Sequence, residues 1–491
     1  MEQRKLKILF VSSEVEGFSK TGGLADVAKA LPIELRNQGH EVRIVTPYYR
    51  TIGNHDFAEH RLDLTVNTDY SRPDINFQVR EMHLDCIPVY TIDNPHYFDR
   101  AGLYGEGQDA YADNGERFAF FSLAALQACD ALDFTPDIIH CNDWHVGLIP
   151  YLLRTRFHDH YRFANTKSVL TIHNACYQGI YDKSSLNLIP EVASCMDERC
   201  LQDNNHINFL KTGVTYCDKV NTVSPNYASE LLTDLGSHGT HHHFNARRYD
   251  FEGILNGCDY NDWNPEIDTY IPANFTADDM SGKAICKSGL QKKVGLPVKP
   301  NVPVFGMVCR LTEQKGLGIL IPILERFLLH DVQLVIIGSG DPSITGQLNS
   351  YAARFPDKFK FMNVYSNELS HMVEAGSDFF LMPSIFEPCG LNQLYSLAYA
   401  TLPVVRAVGG LKDTVTDYDA DTKNANGFMF YNTDPNQFLN LLRRVILLYL
   451  EQPDEMQRLK EKAMHSHFYW SDSVKFYEHL YFNALYQHRN W

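Results

Sequence analysis

The chain has 491 residues, of which 44% are hydrophobic and 21% are charged. That length exceeds what one hydrophobic core holds and predicts two domains, and the composition excludes a disordered chain. The 44 basic and 60 acidic residues give a formal charge of -16, which disfavours binding to nucleic acid or to an anionic membrane surface. A small anionic ligand is not excluded, because it needs only a few cations in one cleft.

The beginning of the chain, MEQRKLKILFVSSE, places basic residues before an apolar run, as a signal peptide does. The apolar run is only ILFV, too short for such a segment, and no apolar stretch of about 18 residues follows. The 11 cysteines include no C-x-x-C pair, which is typical of reduced thiols. We therefore expect a cytoplasmic protein without a membrane span.

Short apolar, β-branched runs recur along the chain with helical patterns between them. We predict a first series of strands over 7–13, 41–49, 87–93, 137–143, 168–174 and 219–224, and a second over 302–311, 332–340, 359–365, 379–384 and 402–408. The runs are continuous instead of alternating, which is typical of parallel strands covered on both faces by helices. The pattern predicts an α/β fold with two facing Rossmann-like, doubly wound domains.

A stretch rich in proline and polar residues, roughly 260–301, separates the two series and predicts a domain boundary nearby. We place the first domain at 1–255 and the second at 256–472. The last segment, 473–491, is aromatic at helical spacing and predicts a helix that packs back on the first domain. Because ligands of such folds sit beyond the carboxyl ends of the strands, we expect the functional residues in the loops that follow strands.

The loop after the first predicted strand has the sequence KTGGLADV, residues 20–27, and leads directly into a helical pattern. Two glycines allow a ligand close to the backbone, and Lys20 adds a positive charge, which together suit an anion at a helix N-terminus. An ordinary strand–helix turn could have the same residues. GSGDPS at 338–343 lacks the third glycine of a dinucleotide-binding loop and no Walker A sequence occurs, so a dehydrogenase is only weakly supported.

The first strand of the second series leads into CRLTEQKG, which contains Arg310 and Lys315. Two cations at the carboxyl end of a strand suit a diphosphate, since arginine offers a planar fork and lysine a mobile point charge. Glu387, in FEPCGL, follows another predicted strand, where a carboxylate can accept hydrogen bonds from sugar hydroxyls. A solvent-facing loop or a helix N-terminus would explain each of these groups equally well.

Two polar clusters invite a metal-binding interpretation that we reject. SHGTHHHF, at 237–244, holds four histidines, but no carboxylate or cysteine completes a familiar ligand spacing, so we predict a polar loop. DYDAD, at 417–421, does not follow an apolar strand and continues into a polar segment, so we predict a solvated turn formed by Asp417, Asp419 and Asp421. We expect no metal and no other cofactor, because Arg310 and Lys315 already supply two positive charges.

The motifs KTGGLADV, DWH, TIHN, RLTEQKG, FEPCGL and GGLKDTV occur in this order over nearly the whole chain and together resemble bacterial glycogen synthases and plant starch synthases. That family consists of retaining glucosyltransferases with the GT-B fold, in which two Rossmann-like domains face each other across a deep cleft. The resemblance implies transfer of glucose from ADP-glucose to the non-reducing end of an α-1,4-glucan such as glycogen. The acceptor hydroxyl would attack on the face that the leaving group departs from, and a phosphate oxygen would take its proton.

The resemblance also implies roles for residues at matching positions. Arg310 and Lys315 would neutralise the diphosphate, Lys20 would assist from the other domain, and Glu387 would hold the glucose. With His173 these form the expected catalytic set, and closure of the two domains would assemble it. The expected substrate-binding residues are Gly22, Gly23, Asp26, Asp143, Asn174, Asn256, Cys389, Gly390 and Leu391.

Four places depart from the family pattern. Asn392 stands where threonine is usual, Asn142 where histidine is frequent, VGGLKD replaces the commoner TGGLAD, and EVEGFS before Lys20 lacks the usual proline. They leave the charged set intact and affect the detail of the sugar site and the acceptor preference. One alternative function is another retaining GT-B transferase that uses UDP-glucose or a small acceptor. A second is a non-catalytic, two-lobed sugar-nucleotide sensor, which would not need Arg310, Lys315 and Glu387 together with Lys20.

Overall fold

The computed structural model describes residues 4–53, 61–66, 74–107 and 109–486. The chain forms two compact units, Met1–Asn256 with Trp470–Trp491 and Gly257–Tyr469. The boundaries expected from the sequence fall at 255/256 and 472/473. None of the helices in the described ranges is both long enough and apolar enough to cross a membrane.

The first unit is built on a nine-stranded sheet with strand order β13-β12-β9-β8-β1-β2-β5-β4-β3, beside two ribbons, β10-β11 and β6-β7. The strands are β1 (Lys7–Val11), β2 (Glu41–Pro47), β3 (Arg61–Val66), β4 (Ile75–Leu84), β5 (Ile87–Asp93), β6 (Gly105–Glu106), β7 (Asp109–Ala110), β8 (Ile138–Asn142), β9 (Lys167–Ile172), β10 (Ile180–Asp182), β11 (His206–Asn208), β12 (Lys219–Thr222) and β13 (Phe251–Gly253). In register, Phe10 of β1 lies opposite Ile44 of β2 and His140 of β8.

One edge of this sheet is antiparallel, because β4 pairs in the antiparallel sense with both β3 and β5. The expectation of parallel strands therefore holds from β13 to β5 and fails at this edge. Along β4, Phe77, Val79 and Met82 are buried, the residues between them are partly exposed, and Asn76 and His83 on either side are exposed. A strand with one face towards solvent has its buried residues separated in this way, so it lacks the continuous apolar run by which strands such as β1 and β8 were predicted.

The helices of the first unit that precede the second are α1 (Gly23–Asn37), α2 (Pro95–Phe98), α3 (Asn114–Ala131), α4 (Ile149–Arg154), α5 (Pro190–Ser194), α6 (Phe209–Tyr216), α7 (Pro225–Leu231) and α8 (His241–Ala246). Short 3-10 helices lie at Arg50–Ile52, Trp144–Val146 and Lys183–Leu186. α1 buries Leu24, Val27, Leu31 and Leu35, which recur at helical spacing and pack into the core.

The second unit has a six-stranded sheet of order β16-β15-β14-β17-β18-β19, with every neighbouring pair parallel. Its strands are β14 (Val304–Val308), β15 (Gln333–Ile337), β16 (Phe359–Met362), β17 (Phe379–Met382), β18 (Leu402–Arg406) and β19 (Phe428–Phe430). Its helices are α9 (Ser281–Val294), α10 (Leu317–Leu328), α11 (Pro342–Arg354), α12 (Asn367–Gly376), α13 (Asn392–Ala398), α14 (Gly409–Thr414), α15 (Pro435–Glu451) and α16 (Pro453–Met464), with a 3-10 turn at Glu313–Lys315.

Both faces of the second sheet are covered, as the continuous apolar runs predict. Along β15, Leu334 and Ile336 belong to one buried cluster, whereas Val335 and Ile337 belong to another. Alternate side chains of a strand point to opposite faces, so two apolar clusters on one strand require packing on both sides.

The last helix, α17 (Trp470–Tyr486), packs into the first unit through a buried polar chain. The Tyr481 hydroxyl lies 2.7 Å from Nδ1 of His140, and Nε2 of His140 lies 2.6 Å from the Thr171 hydroxyl, which itself donates to Asn221 at 2.7 Å. Because Thr171 donates its only proton to Asn221, it must accept from His140 Nε2–H. This row of hydrogen bonds therefore fixes the position of every proton in the contact between α17 and the sheet.

The carboxyl ends of three adjacent strands meet in each unit. In the first unit these are β1, β8 and β9, and in the second they are β14, β17 and β18. β1 lies between β2 and β8, and β14 lies between β15 and β17. From each of these central strands the chain first continues to one side of the sheet and later crosses to the other side. Such switch points open a crevice at the sheet edge where ligands of α/β proteins bind.

Candidate active site

The loop between β1 and α1 is held by one buried carboxylate, that of Glu14, which is 3% exposed. Its Oε2 accepts hydrogen bonds from the Thr21 N–H at 2.5 Å and the Gly22 N–H at 3.2 Å, and its Oε1 accepts from the Thr21 hydroxyl at 2.6 Å. The Gly22 N–H thus already donates to a carboxylate of the protein itself. The N–H of Gly23, where α1 begins, bonds to none of the described residues and points along the positive end of the helix dipole.

Lys20 forms ion pairs with two carboxylates of its own unit. Its Nζ lies 2.5 Å from Oε2 of Glu16 and 2.7 Å from Oδ1 of Asp26. Burial lowers the pKa of Lys20, but the two carboxylates outweigh burial and the pKa rises above its usual value. Burial raises the pKa of Asp26 to about 6, although the Lys20 charge opposes that shift. The cation is therefore present but paired, and an incoming phosphate would have to compete with these carboxylates.

Asp143 follows β8 in an unusual backbone conformation, with φ 61° and ψ -177°. Its Oδ1 accepts hydrogen bonds from the backbone N–H groups of His173 at 2.7 Å and Asn174 at 3.3 Å, which follow β9. Burial raises the pKa of Asp143 to about 7, although these two hydrogen bonds favour the carboxylate. Backbone strain of this kind persists only where the surroundings enforce it, and it concentrates at functional sites.

The His173 side chain is 9% exposed, and its Nε2 lies 3.0 Å from Oδ1 of Asn142, the last residue of β8. Burial lowers the pKa of His173 to about 3, so the ring is neutral at pH 7. The side chain of the neighbouring Asn174 accepts a hydrogen bond from the Cys176 N–H at 3.0 Å and forms a local turn. These contacts orient the loop after β9 against the end of β8.

Asn256, the last residue of the first unit before Gly257, is 4% exposed. Its Oδ1 is buried and accepts no hydrogen bond from the described residues. A buried polar atom without a partner is costly, and in a native protein it often marks a place for a ligand or a water molecule.

An aromatic stack links the loops after β1 and β8. Tyr104 donates its hydroxyl proton to Oε1 of Glu14 at 2.7 Å. Its ring stacks on His145 with centroids 4.7 Å apart, and His145 stacks on Trp144 at 4.1 Å. The Glu14 carboxylate is therefore fixed from both sides, by the glycine loop and by a rigid ring.

In the second unit, the loops after β14 and β17 bring Lys315 and Glu387 together. Nζ of Lys315 lies 2.6 Å from Oε2 of Glu387, and the Ser384 hydroxyl donates to the same oxygen at 3.0 Å. Glu387 is 6% exposed, so this is a largely buried ion pair. Arg310 is exposed, and its guanidinium makes no hydrogen bond or ion pair with the residues that the structure describes. The edge thus presents a paired cation and an unpaired one.

Two glycines keep these loops close together. Gly316 has φ 73°, and a Cβ there would lie 1.8 Å from the Pro383 carbonyl oxygen. Gly409 has φ 44°, and a Cβ there would lie 1.8 Å from the Glu387 carbonyl oxygen. Any side chain at either position would push the Glu387 loop away from its neighbours, so both glycines are required by close backbone contact.

The turn before α13 contains the three other predicted residues of this unit. Cys389 is 6% exposed, Gly390 has φ 72°, and Leu391 is the residue immediately before the helix. Nδ2 of Asn392 donates to the Val308 carbonyl at 3.1 Å and so ties the turn to the end of β14, next to the loop that carries Arg310.

Comparison with known proteins follows the same division of the chain. The family described as "Starch synthase catalytic domain" matches residues 7–246, and the one described as "Glycosyl transferases group 1" matches 291–465. A glycogen synthase of Aeromonas salmonicida is 54% identical over 480 residues, covering 98% of both chains. A glycogen synthase of Photobacterium profundum is 54% identical over 484 residues, covering 98% of this chain and 95% of its own.

This chain belongs to the glycogen synthase family. A solved structure similar to it is the catalytic domain of starch synthase IV from Arabidopsis thaliana bound to ADP and acarbose, with a TM-score of 0.91, 32% identity and coverage of 99% and 100% of the two chains. A sucrose-phosphate synthase from Thermosynechococcus elongatus shares the fold at a TM-score of 0.59 and 18% identity. The predicted family, the two Rossmann-like α/β units of the GT-B fold and the glycosyltransferase class are confirmed.

Sequence reasoning missed several groups that contact the candidate residues within each unit. Glu14 could have been found, because it is an acidic residue close in sequence to a glycine loop whose N–H groups suit an anion. Its own carboxylate is therefore a candidate partner for those N–H groups. Tyr104 gave no signal, since it lies far from Glu14 in sequence. Ser384 also gave none, because a serine after a strand is common in loops.

The two clusters rejected as metal sites both depart from the structure expected for them. The polar loop predicted at 237–244 is wrong for its second half, because His241–Ala246 form the short helix α8 and Phe244 is buried. Among the described residues, no group of three or more His, Cys, Asp or Glu side chains could hold a metal ion. The expectation of a solvated turn is wrong for Asp417, which is 7% exposed and accepts a hydrogen bond from the Met429 N–H at 2.9 Å. Asp419 pairs with Arg444, and Asp421 accepts from Asn424 within the turn. The carboxylates thus point to different partners.

Proposed function

We propose that this protein transfers glucose from ADP-glucose to the non-reducing end of an α-1,4-glucan with retention of configuration. The observation that carries the proposal is the charge arrangement at the switch point of the second sheet. There Arg310 is unpaired among the described residues, beside the Lys315–Glu387 ion pair. The ADP in the structure of the related starch synthase supports an adenine nucleotide as the donor.

In this proposal the second unit stabilises the leaving group. The bond between glucose C1 and the phosphate oxygen breaks, and ADP gains negative charge as it leaves. Arg310 and Lys315 would neutralise that charge, and they act most strongly in the transition state, where the charge develops. Glu387, held by Lys315 and Ser384, would accept hydrogen bonds from the glucose hydroxyls. The turn Cys389–Leu391 would form the floor of the same pocket.

The first unit would orient the sugar and the acceptor. His173, Asp143, Asn174 and Asn256 would line the glucose site, with the unpartnered Oδ1 of Asn256 available to a hydroxyl. The Gly23 amide and Lys20 would add to the diphosphate environment, with Gly22 and Asp26 shaping that loop.

The reaction needs no side-chain base to take the proton of the acceptor hydroxyl. The acceptor hydroxyl forms the new bond to C1 on the face that ADP leaves, and its proton passes to a phosphate oxygen of ADP. We propose no metal and no cofactor for this step, since the two cations of the second unit supply the charge.

We also propose the cytoplasm as the location. None of the eleven cysteines, all of which lie in described segments, forms a disulfide. Unbridged thiols in this number suit a reducing compartment.

The test is ADP release from ADP-glucose in the presence of glycogen, with UDP-glucose as the alternative donor at equal concentration. We expect ADP release that depends on glycogen and a much slower reaction with UDP-glucose. A clear preference for UDP-glucose would support another retaining GT-B transferase, and binding of ADP-glucose without release would support a sensor. The Arg310→Ala variant, which lacks the unpaired cation and should keep the fold because the side chain is exposed, is the matched negative control.

A further inference from the structure

Asn142 makes contacts that fix the orientation of its own side-chain amide. The residue is 0% exposed, at the end of β8. One end of the amide lies 3.1 Å from the carbonyl oxygen of Val11 in β1, and a carbonyl oxygen can only accept a hydrogen bond. That end is therefore the NH2 group. The other end, Oδ1, lies 3.0 Å from Nε2 of His173.

The orientation of the amide decides where the proton of His173 resides. An amide oxygen can only accept, so Nε2 of His173 must carry a proton. Burial lowers the pKa of His173 to about 3, so the neutral ring has just this one proton at pH 7. Nδ1 then holds a lone pair, and it makes no hydrogen bond to any residue in the described ranges.

We propose that Asn142 is a positioning residue that holds His173 in the Nε2–H tautomer, so that Nδ1 offers a hydrogen-bond acceptor to a sugar hydroxyl of the bound donor. The identity of that hydroxyl rests on the proposed function, whereas the tautomer does not. An asparagine suits this task because it supplies an acceptor without a charge. A carboxylate in its place would also accept from Nε2–H, but it would favour an imidazolium ring.

Three other titratable groups lie around the His173 ring. Asp143 accepts the backbone N–H of His173, and its pKa is raised to about 7 by burial. Burial also lowers the pKa of His140 to about 3 and that of His145 well below its usual value, so both are neutral at pH 7. Asp143 is unchanged in every variant used below, so any titration of its carboxyl is common to all of them.

The direct test is the tautomer of His173, measured by long-range 1H–15N correlation on protein labelled with 15N-histidine. The His173 signals are identified by their loss in His173→Gln. At pH 7 without substrate we expect a protonated Nε2 and a bare Nδ1. In Asn142→Leu, which removes the acceptor at similar size, we expect averaging between tautomers. A proton on Nδ1 in the unmodified protein would overturn the proposal.

The functional test compares kcat/KM for ADP-glucose in Asn142→Leu and the unmodified protein at pH 7. Asn142→Leu leaves Nε2 without an acceptor, so the ring proton can move to Nδ1 and block its lone pair in part of the molecules. We therefore expect kcat/KM to fall in proportion to the molecules with a bare Nδ1, about twofold when the two tautomers are equally populated.

Asn76→Leu is the matched control, because it makes the same change at an exposed position of β4. It should keep the kcat/KM of the unmodified protein. If Asn142→Leu keeps that value as well although its His173 ring averages between tautomers, Nδ1 is not needed as an acceptor and the proposal fails. The tautomer is read without substrate, so a failed donor assay would overturn the proposed function and leave the tautomer result standing.

Discussion

The two units hold their functional groups in different ways. In the first unit the carboxylates of Glu14 and Asp143 and the ring of His173 are buried and bonded to neighbouring loops. In the second unit Arg310 is exposed and makes no ion pair with the described residues, and Lys315 has a single carboxylate partner. The first unit is therefore a preorganised, largely rigid surface, and the second supplies charge that can follow a developing anion.

The largest effect should come from removing the unpaired cation of the second unit. We expect Arg310→Ala to lower kcat by on the order of 100-fold, with a smaller change in KM for ADP-glucose, because its charge acts mainly on the departing diphosphate. Its melting temperature should hardly change, since the guanidinium is exposed and makes no hydrogen bond or ion pair with the described part of the chain. Steady-state kinetics with glycogen and differential scanning fluorimetry measure both.

Lys315→Ala sharpens the same comparison. Its kcat should fall similarly, but its melting temperature should fall too, because Glu387 would lose its partner at 2.6 Å while it stays buried. Arg326→Ala, at an exposed position of α10, is the control and should resemble the unmodified protein. Near-normal turnover in either Arg310→Ala or Lys315→Ala would show that the diphosphate role is wrong.

A smaller effect should come from the carboxylate that holds the first loop. We expect Glu14→Gln to lower kcat/KM by about tenfold, because an amide group can accept from the Gly22 loop at only one of its two ends. The melting temperature should fall in parallel, unlike that of Arg310→Ala. Glu41→Gln, an exposed change on β2, serves as the control. Unchanged kinetics in Glu14→Gln would mean that the loop is rigid without this carboxylate.

Asp143 should make the folding stability of the protein fall as the pH rises. Its pKa is about 7 in the folded protein and 3.8 in an ordinary environment, so between these values the folded state binds a proton that the unfolded state releases. Stability from this group is therefore lost as the pH rises through that window, by up to about 1.4 kcal/mol per pH unit.

Asp143→Asn keeps an oxygen to accept from the His173 N–H but does not titrate. The melting temperature of the variant relative to the unmodified protein should therefore rise from about pH 4 to about pH 7 and level off above that. The contribution of Asp26 is the same in both proteins and cancels. A difference that stays constant over this range would contradict the burial of a titrating Asp143.

The smallest expected effect is that of metal removal. Since Arg310 and Lys315 supply the positive charge in this account, turnover after exhaustive chelation with EDTA should equal that of a magnesium-replete control. Loss of activity on chelation, restored by magnesium, would require a metal at the diphosphate. That result would mean that Arg310 and Lys315 do not supply enough positive charge for the reaction without a metal ion.

The sequence was sufficient to predict the parts of the fold that follow one simple rule. Continuous apolar runs identified β1, β8 and β14, because parallel strands are covered on both faces. The same rule failed for β4, whose exposed face breaks the run. The motif loops predicted Lys20, His173 and Glu387 at strand ends, but the ion pair of Glu387 with Lys315 depends on loop geometry that spacing does not reveal.

The partners of the site residues were the least predictable feature. The glycine loop suggested amides open to a phosphate, whereas Glu14 occupies one of them from within the chain. Asn142 looked like a minor departure from a family pattern, although its amide fixes the ring of His173. The Glu14 contact depends on how the loop after β1 folds back on itself. The Asn142 contact arises because the parallel strands β8 and β9 end at one edge, which brings together residues that are distant in sequence.

The most direct test of the central claim is the position of newly transferred glucose. Glycogen would be incubated with ADP-glucose labelled in the glucose ring and then digested with β-amylase, which removes maltose from the non-reducing ends of α-1,4-linked chains. We expect label in the polymer that is released early in the digestion as maltose. Label that appears only as free glucose, or that resists β-amylase, would contradict transfer to the non-reducing end.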